Sequence, residues 1–151
     1  MNKIPKEASL TSGAAEGESE LEAFDNALIE AGIGNVNLVK VSSILPEKCS
    51  VVNNIKPEPG EIVYTALTKA TSSEPEIRLS ASVSIAESFK GIGVISEFKG
   101  SESKEKTEEE SRRIAERMLK KRGLKNKRIY TESASHTVKK HGSVVAAVIF
   151  K

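Results

Sequence analysis

The sequence predicts an α+β fold, with mostly antiparallel sheets sandwiched between helices as αββα layers in one domain. Three observations lead there. Two segments, Ser19–Gly32 and Ser103–Arg122, space their apolar residues as helices do. Seven other segments are rich in β-branched residues and either alternate or run continuously apolar. Their order, β-α-β-β-β-β-α-β-β, lacks the strict strand–helix alternation of a parallel sheet. At 151 residues the chain is long enough to bury one core without staples.

In order, Lys6–Gly13 reads as a short edge strand that leads into a polar turn, Gly13–Gly17. Ser19-Glu20-Leu21-Glu22 is a capping box, in which Ser19 and Glu22 each satisfy a backbone amide of the first turn. Leu21, Phe24, Leu28 and Ala31 follow as one apolar stripe, and Gly32 suits a left-handed cap. Val36–Ser43 is a short apolar strand that ends on two serines. Pro46–Gly60 is a loop of a length that compact domains reserve for function or assembly. Glu61–Ala70, Ile77–Ala86 and Gly91–Phe98 are strands joined by turns at Ser72–Pro75 and Ser88–Gly91. The second helix puts Ser111, Ile114, Ala115, Met118 and Leu119 on its inner face, with Gly123 as its cap. Asn126–Thr137 and Gly142–Phe150 are the last strands. The unbroken apolar run Val144–Ile149 marks a strand buried on both faces.

Composition narrows the function classes. With 38% hydrophobic and 4% aromatic residues and no Trp, the core is built from Val, Ile, Leu and Ala. Lys and Arg number 23 against 21 Asp and Glu, so no large excess of positive charge offers itself to nucleic acid. The basic residues from Lys104 to Arg128 are interleaved with glutamates, and Glu108/Arg112, Glu109/Arg113 and Glu116/Lys120 are i,i+4 pairs of a solvated helix face. The single Cys49 permits no intrachain disulfide and fits a reducing cytoplasm. Met1–Lys6 lacks the apolar core of a signal peptide, and no run is long enough to span a membrane. A cytoplasmic protein without membrane or nucleic-acid partners is therefore expected.

Most familiar chemistries find no footing. His136 and His141 lie five apart near a turn with Cys49 remote, which is not metal-ligand spacing. Gly32-Ile33-Gly34 follows a helix and lacks the third glycine of a dinucleotide fingerprint. No G-x-S-x-G elbow surrounds Ser42 or Ser43, and His136 reads as a strand residue making an ordinary hydrogen bond. What remains is the Ser42-Ser43 pair, where a strand meets a loop. A serine hydroxyl needs positioning or a base to attack, and a strained peptide bond is an easier target. Taken alone, Asn37 reads as a turn-capping residue at a strand end, Glu97 as an outward-facing strand residue, and Asp25 as an acid complementing the helix dipole.

Several stretches together resemble the pyruvoyl-dependent arginine decarboxylases of archaea and some bacteria. They are Glu16-Gly17-Glu18, Ala23-Phe24-Asp25, Ala27-Leu28, Ala31 to Leu38, Val41-Ser42-Ser43-Ile44-Leu45-Pro46, Gly93 to Gly100 and His136-Thr137-Val138. The likeness covers nearly the whole chain, and Ala31 to Pro46 is its most specific part. The resemblance implies self-cleavage between Ser42 and Ser43 into a β chain, 1–42, and an α chain, 43–151. The Ser43 hydroxyl attacks the Ser42 carbonyl, and elimination and hydrolysis leave a covalent pyruvoyl group at position 43, with neither PLP nor metal. The mature enzyme would convert L-arginine to agmatine and CO2 through a Schiff base, for polyamine synthesis. Asn37 would donate to the oxyanion, Glu97 would return a proton to the α-carbon, and Asp25, Gly34 and Val36 would bind substrate, Asp25 at the guanidinium. The resemblance also implies homotrimers, or dimers of trimers, with active sites between subunits.

This sequence departs from the family's pattern at Glu18-Ser19-Glu20, in its short segment before Ala8 and at Cys49, all expected to touch only the pocket rim. Two alternatives stand beside this reading: an S-adenosylmethionine decarboxylase on the same scaffold, and a non-processing oligomeric binding or scaffold protein.

Overall fold

The computed structural model describes residues 4–151. Its elements are β1 (Glu7–Glu16), α1 (Glu20–Glu30), β2 (Asn37–Lys40), β3 (Ile44–Leu45), β4 (Ser50–Val51), β5 (Ile62–Ser72), β6 (Arg78–Ser88), β7 (Gly93–Gly100), α2 (Lys104–Lys121), β8 (Asn126–Thr137) and β9 (Gly142–Phe150). They form a five-stranded sheet, β2-β5-β9-β1-β4, and a four-stranded sheet, β3-β7-β6-β8. Neighbours are antiparallel except for β2 with β5 and β1 with β4. Between the sheets, Val83, Ile85 and Ile95 meet Val144, Ala146 and Val148. The outer face of the first sheet packs Val145, Ala147 and Ile149 under α1, and the outer face of the second packs Ala86 and Val94 under α2. The layers are helix, sheet, sheet, helix, as the sequence predicts. Every residue of β9 is buried, which fits its continuous apolar run and its central place. Among the described residues no helix is long and apolar enough to cross a membrane.

The structure corrects the sequence reading in several places. β1 is neither short nor an edge. It runs to Glu16, because β9 pairs with it from Ala8–Phe150 to Glu16–Gly142 and carries it through the segment expected as a turn. The expected Val36–Ser43 strand stops at Lys40, and the long loop after Pro46 contains β4, which adds Ser50–Val51 to the free side of β1.

On α1 the buried residues are Ala23, Ala27 and the capping Ala31, whereas Leu21 is 76% exposed and Phe24 and Leu28 are half-buried. The cause lies opposite, in Gly13. A Cβ there would collide with the Ala27 carbonyl oxygen and lie 2.8 Å from the Ala31 nitrogen. Backbone thus meets backbone, and only alanine fits the seam. The capping serine behaves as expected, accepting from the Glu22 amide (3.2 Å). The Glu22 carboxylate, however, accepts from the Ser19 hydroxyl (2.7 Å). Gly32 and Gly123 have φ of +79 and +70, as left-handed caps require.

On α2 none of the three expected i,i+4 ion pairs forms among the described residues. Hydroxyls of β8 take their partners: Ser133 donates to Glu108 (2.5 Å), and Arg112 donates to Thr131 (3.0 Å). Arg113 pairs instead with Glu110 at 2.7 Å. The underside of α2 is polar as well. The Ser111 hydroxyl lies 2.7 and 2.8 Å from those of Ser82 and Ser84, and Ser96 donates to the Ser111 carbonyl. Among the described residues no buried side-chain nitrogen or oxygen lacks a partner, so this wet-looking seam carries no desolvation penalty of unpaired groups.

Glu16 ties the β8–β9 hairpin to β1. Its carboxylate lies 2.6 Å from His136 Nε2 and accepts the Lys140 and Lys139 backbone amides at 2.7 and 3.2 Å. Gly142 leaves the room, since a Cβ there would sit 2.6 Å from Glu16 Oε2. Burial opposes the charge, but the Lys140 amide, the His136 ring and the Lys139 amide outweigh it and bring the carboxyl from 4.5 to about 2. A group depressed on folding contributes stability above its unfolded value and loses it as pH falls through the folded one. Glu16→Gln is therefore expected to lower stability by about 1–2 kcal/mol at pH 7. The gap between parent and variant should shrink between about pH 5 and pH 2, as read by urea denaturation across that range.

Candidate active site

β2 is an edge of one sheet and β3 an edge of the other, and the chain crosses between them in three residues. The Val41 amide still donates to the Thr65 carbonyl (2.8 Å), prolonging the ladder of β2 along β5. The Ile95 amide donates to the Ser43 carbonyl (2.8 Å), opening the ladder of β3 along β7. Ser42 lies between the two ladders and is exposed, while Ser43 is half-buried. The Ser42–Ser43 peptide is thus the junction of the sandwich, pinned on each side and part of neither sheet. Backbone strain of the left-handed kind is not what marks it: among the described non-glycine residues only Glu76 has positive φ.

Glu97 lies on β7 opposite Val83, a residue of the inter-sheet core. It shares that face with Ile95, which carries the hydrogen bond to Ser43, and two residues of strand separate them by about 7 Å. Its carboxyl therefore points to the space between the sheets, at their margin, and is not turned outward. Burial raises its proton affinity, and the nearby ammonium groups of Lys40 and Lys99 partly oppose that. Lys40 carries a signal that sequence reasoning passed over: it is the one charge inside the apolar run Leu38–Val41.

The other sequence candidates form a second group. Asn37 Nδ2 donates to the Gly60 carbonyl (3.1 Å) at the start of β2. From there to Val41 the strand covers about 13 Å, so Asn37 does not adjoin the Ser42–Ser43 bond of its own chain. Val36 packs in the cluster beneath α1. Gly34 lets the connection after α1 lie against the helix, since a Cβ would come within 2.8 Å of the Ile29 backbone. Asp25 stands exposed on the outer face of α1. One turn to either side, Leu21 and Ile29 are also exposed, at 76% and 53%. Beside this face runs a groove of about 350 Å³ lined by Phe24, Leu28, Val36, Asn37 and Lys40. A second hollow of about 560 Å³ borders Phe24 on its other side, with Leu21, Lys69 and Lys99 in its wall. Lys69 holds its ammonium 4.0 Å from the Phe24 ring centre.

Cys49 belongs to neither group. It is buried, and burial together with Glu7 and Glu87 raises its thiol to about 11, so it stays protonated at neutral pH.

The peptide bond to Ser42 lies on the amino side of Ser43, while the hydrogen bond from the Ile95 amide lies on its carbonyl side.

A family profile of pyruvoyl-dependent arginine decarboxylases matches residues 7–151. A pyruvoyl-dependent arginine decarboxylase of Methanothermobacter thermautotrophicus is 40% identical over 147 residues, covering 97% of each chain. One of Methanocaldococcus jannaschii is 40% identical, covering 96% of this chain and 89% of its own. One of Pyrococcus abyssi is 43% identical over 150 residues, covering 96% and 94%. With its junction serines, its inward glutamate and a family match over residues 7–151, the chain belongs to the pyruvoyl-dependent arginine decarboxylase family.

Proposed function

We propose that the chain cuts itself between Ser42 and Ser43 and then decarboxylates arginine to agmatine. The observation that carries this reading is the junction itself, a Ser-Ser peptide pinned on both sides whose anchor Ile95 shares its strand face with the half-buried Glu97. The Ser43 hydroxyl adds to the Ser42 carbonyl carbon and the C–N bond breaks, leaving an ester and a free amine. A base removes the Cα proton of residue 43, the Ser42 carboxylate leaves from Cβ, and water replaces the amine as ammonia. The pyruvoyl group so formed supplies a ketone for the substrate amine and an adjacent carbonyl that takes up the electrons released with CO2.

The chain's own residues do the rest. Glu97 delivers a proton to the substrate carbon, a task suited to a carboxyl that burial keeps protonated longer. Asp25 receives the guanidinium, which pairs with carboxylates through two hydrogen bonds. Asn37, about 13 Å from the junction of its own chain, serves that of a neighbour. Two different apolar patches support such an assembly. Leu21 and Ile29 surround Asp25 on α1, and Val39 on the edge strand β2 lies exposed with Ile62 and Tyr64 on its neighbour β5. Unlike patches that meet head to tail close into a ring, in keeping with a trimer or a pair of trimers.

Intact mass spectrometry under denaturing conditions tests the first step. Two fragments divided between residues 42 and 43, the larger bearing a pyruvoyl mass, are expected; a single uncut chain defeats the reading. Asp25→Ala should then cut normally but raise KM for arginine by about 10–100-fold, the loss of a charged hydrogen-bonded pair. Unchanged arginine kinetics would remove Asp25 from the site.

A further inference from the structure

The groove beside α1 has one charged residue in its wall, Lys40. Leu38 packs in the cluster under the helix, and on a strand i and i+2 share a face, so Lys40 is turned to the same side. Thr65, its partner across the ladder, lines the groove with it. Val41 faces the other way, into the core between the sheets. The rest of the wall is apolar or already engaged. Phe24, Leu28 and Val36 are hydrocarbon, the Thr65 hydroxyl donates to the Val148 carbonyl (3.0 Å), and the Asn37 amide donates to the Gly60 carbonyl (3.1 Å). Lys40 is exposed, and among the described residues its ammonium makes no ion pair. Lys69 lines the hollow on the other side of Phe24 and holds its ammonium against that ring. Asp25 stands at the rim, on the helix that supplies Phe24 and Leu28 and one turn before Leu28. An apolar trough with a free cation in its wall and a carboxylate at its rim is complementary to a molecule with a hydrocarbon middle and opposite charges at its ends.

We propose that Lys40 tells substrate from product: it attracts the α-carboxylate of arginine and repels what is left once that carboxylate has gone. The inference rests on the decarboxylation reading above, in which Asp25 receives the guanidinium and Asn37 serves a neighbour's residue 43, so that the reacting carbon lies in this groove. Free arginine carries an ammonium and a carboxylate at its α end, neutral as a whole, and the carboxylate turns toward Lys40 on its long flexible stem. In the reaction the bond from Cα to the carboxylate breaks, its electron pair stays behind, CO2 leaves uncharged and a proton takes its place on Cα. Water then frees the amine, which is an ammonium at neutral pH. The groove now holds a molecule with two cationic ends and no anion. Asp25 still attracts one end, and Lys40 opposes the other. One fixed charge thus favours entry of the amino acid and exit of the amine, with no movement of the fold. Lys40 touches no bond that is made or broken and is a specificity residue.

The test measures two constants in the full-length, mature parent, Lys40→Met and Lys40→Arg: the KM for arginine and the competitive inhibition constant of agmatine. In Lys40→Met the first should rise and the second should fall, each by about three- to fivefold, the range of an exposed charge pair. Lys40→Arg keeps the charge and should stay within about twofold of the parent in both. The opposite directions are the signature, because a variant that merely deforms the groove weakens both ligands. Both constants unmoved in Lys40→Met, or both moved the same way, overturns the proposal. Calorimetry repeats the comparison without maturation or turnover, on uncut Ser43→Ala with and without Lys40→Met. Replacing Lys40 there should weaken arginine binding and tighten agmatine binding by similar factors; no change, or a shared direction, again overturns the proposal. A parent that does not cut, or that cuts and leaves arginine intact, fails the decarboxylation reading instead, and the calorimetric signs still decide the part played by Lys40.

Discussion

Ser43→Ala is expected to yield one uncut chain of 151 residues with no arginine decarboxylation above background. The substitution removes a single oxygen, but in the proposed cut that oxygen is the attacking group, and no other hydroxyl replaces it. Ser42 is the acyl side of the same bond and sits outside both ladders. Cys49 is buried and protonated. The fold should survive, because the crossing is held by the Val41 amide and the Ser43 carbonyl, both of them backbone groups. Circular dichroism and thermal unfolding of the variant should therefore match those of an uncut parent to within about 1 kcal/mol. A variant that still cuts at this bond would move the nucleophile elsewhere. One that unfolds would show that the hydroxyl is structural.

Gly13→Val is expected to be the most damaging substitution for stability. The added Cβ falls on the Ala27 carbonyl and 2.8 Å from the Ala31 nitrogen, atoms of a helix backbone that cannot rotate aside. Either α1 lifts from β1, exposing Ala27 and loosening its packing on Val145 and Ala147, or β1 bends out of its nine-pair ladder with β9. Overpacking of this kind costs about 3 kcal/mol or more, a fall in Tm of about 6–12 °C for a chain of this size. The secondary loss is functional: α1 carries Asp25 and one wall of the 350 Å³ groove. A Tm within about 2 °C of the parent would contradict the close contact.

The architecture was legible because its signals are local. The Ser19 cap, the left-handed glycines and the run Val144–Ile149 all work through neighbours in sequence, and each is found where it was read. What was misread depends on distant partners. Nothing near Leu21 announces that Gly13 admits a helix so closely that only Ala23, Ala27 and Ala31 fit beneath it. Nothing near Glu108 tells that a serine of β8 will take its carboxylate from Arg112. The same limit applies at the site. The Ser-Ser pair stood out at once, but its place between two sheets required β3 to be recognised as a strand of the other sheet, and nothing in the local sequence after Ser43 names that partner. Glu97 read as an outward residue by composition, and only its register opposite Val83 turns it inward.

The strand order has one more consequence for a chain divided after Ser42. The small piece, ending there, owns β1, α1 and β2; the large piece owns all else. In the five-stranded sheet the two are intermixed: β2 flanks β5, while β1 is enclosed by β9 on one side and β4 on the other. The two pieces are interleaved like the fingers of folded hands, and neither can be withdrawn without opening the sheet. Such a protein can be assembled only once. As a single strand of polymer it finds its fold by an intramolecular search; once parted and unfolded, its halves must meet by diffusion and thread back into one another. If the chain is cut after Ser42, folding has to come first and the cut second, and a cut copy that unfolds regains its fold only through an encounter of two chains.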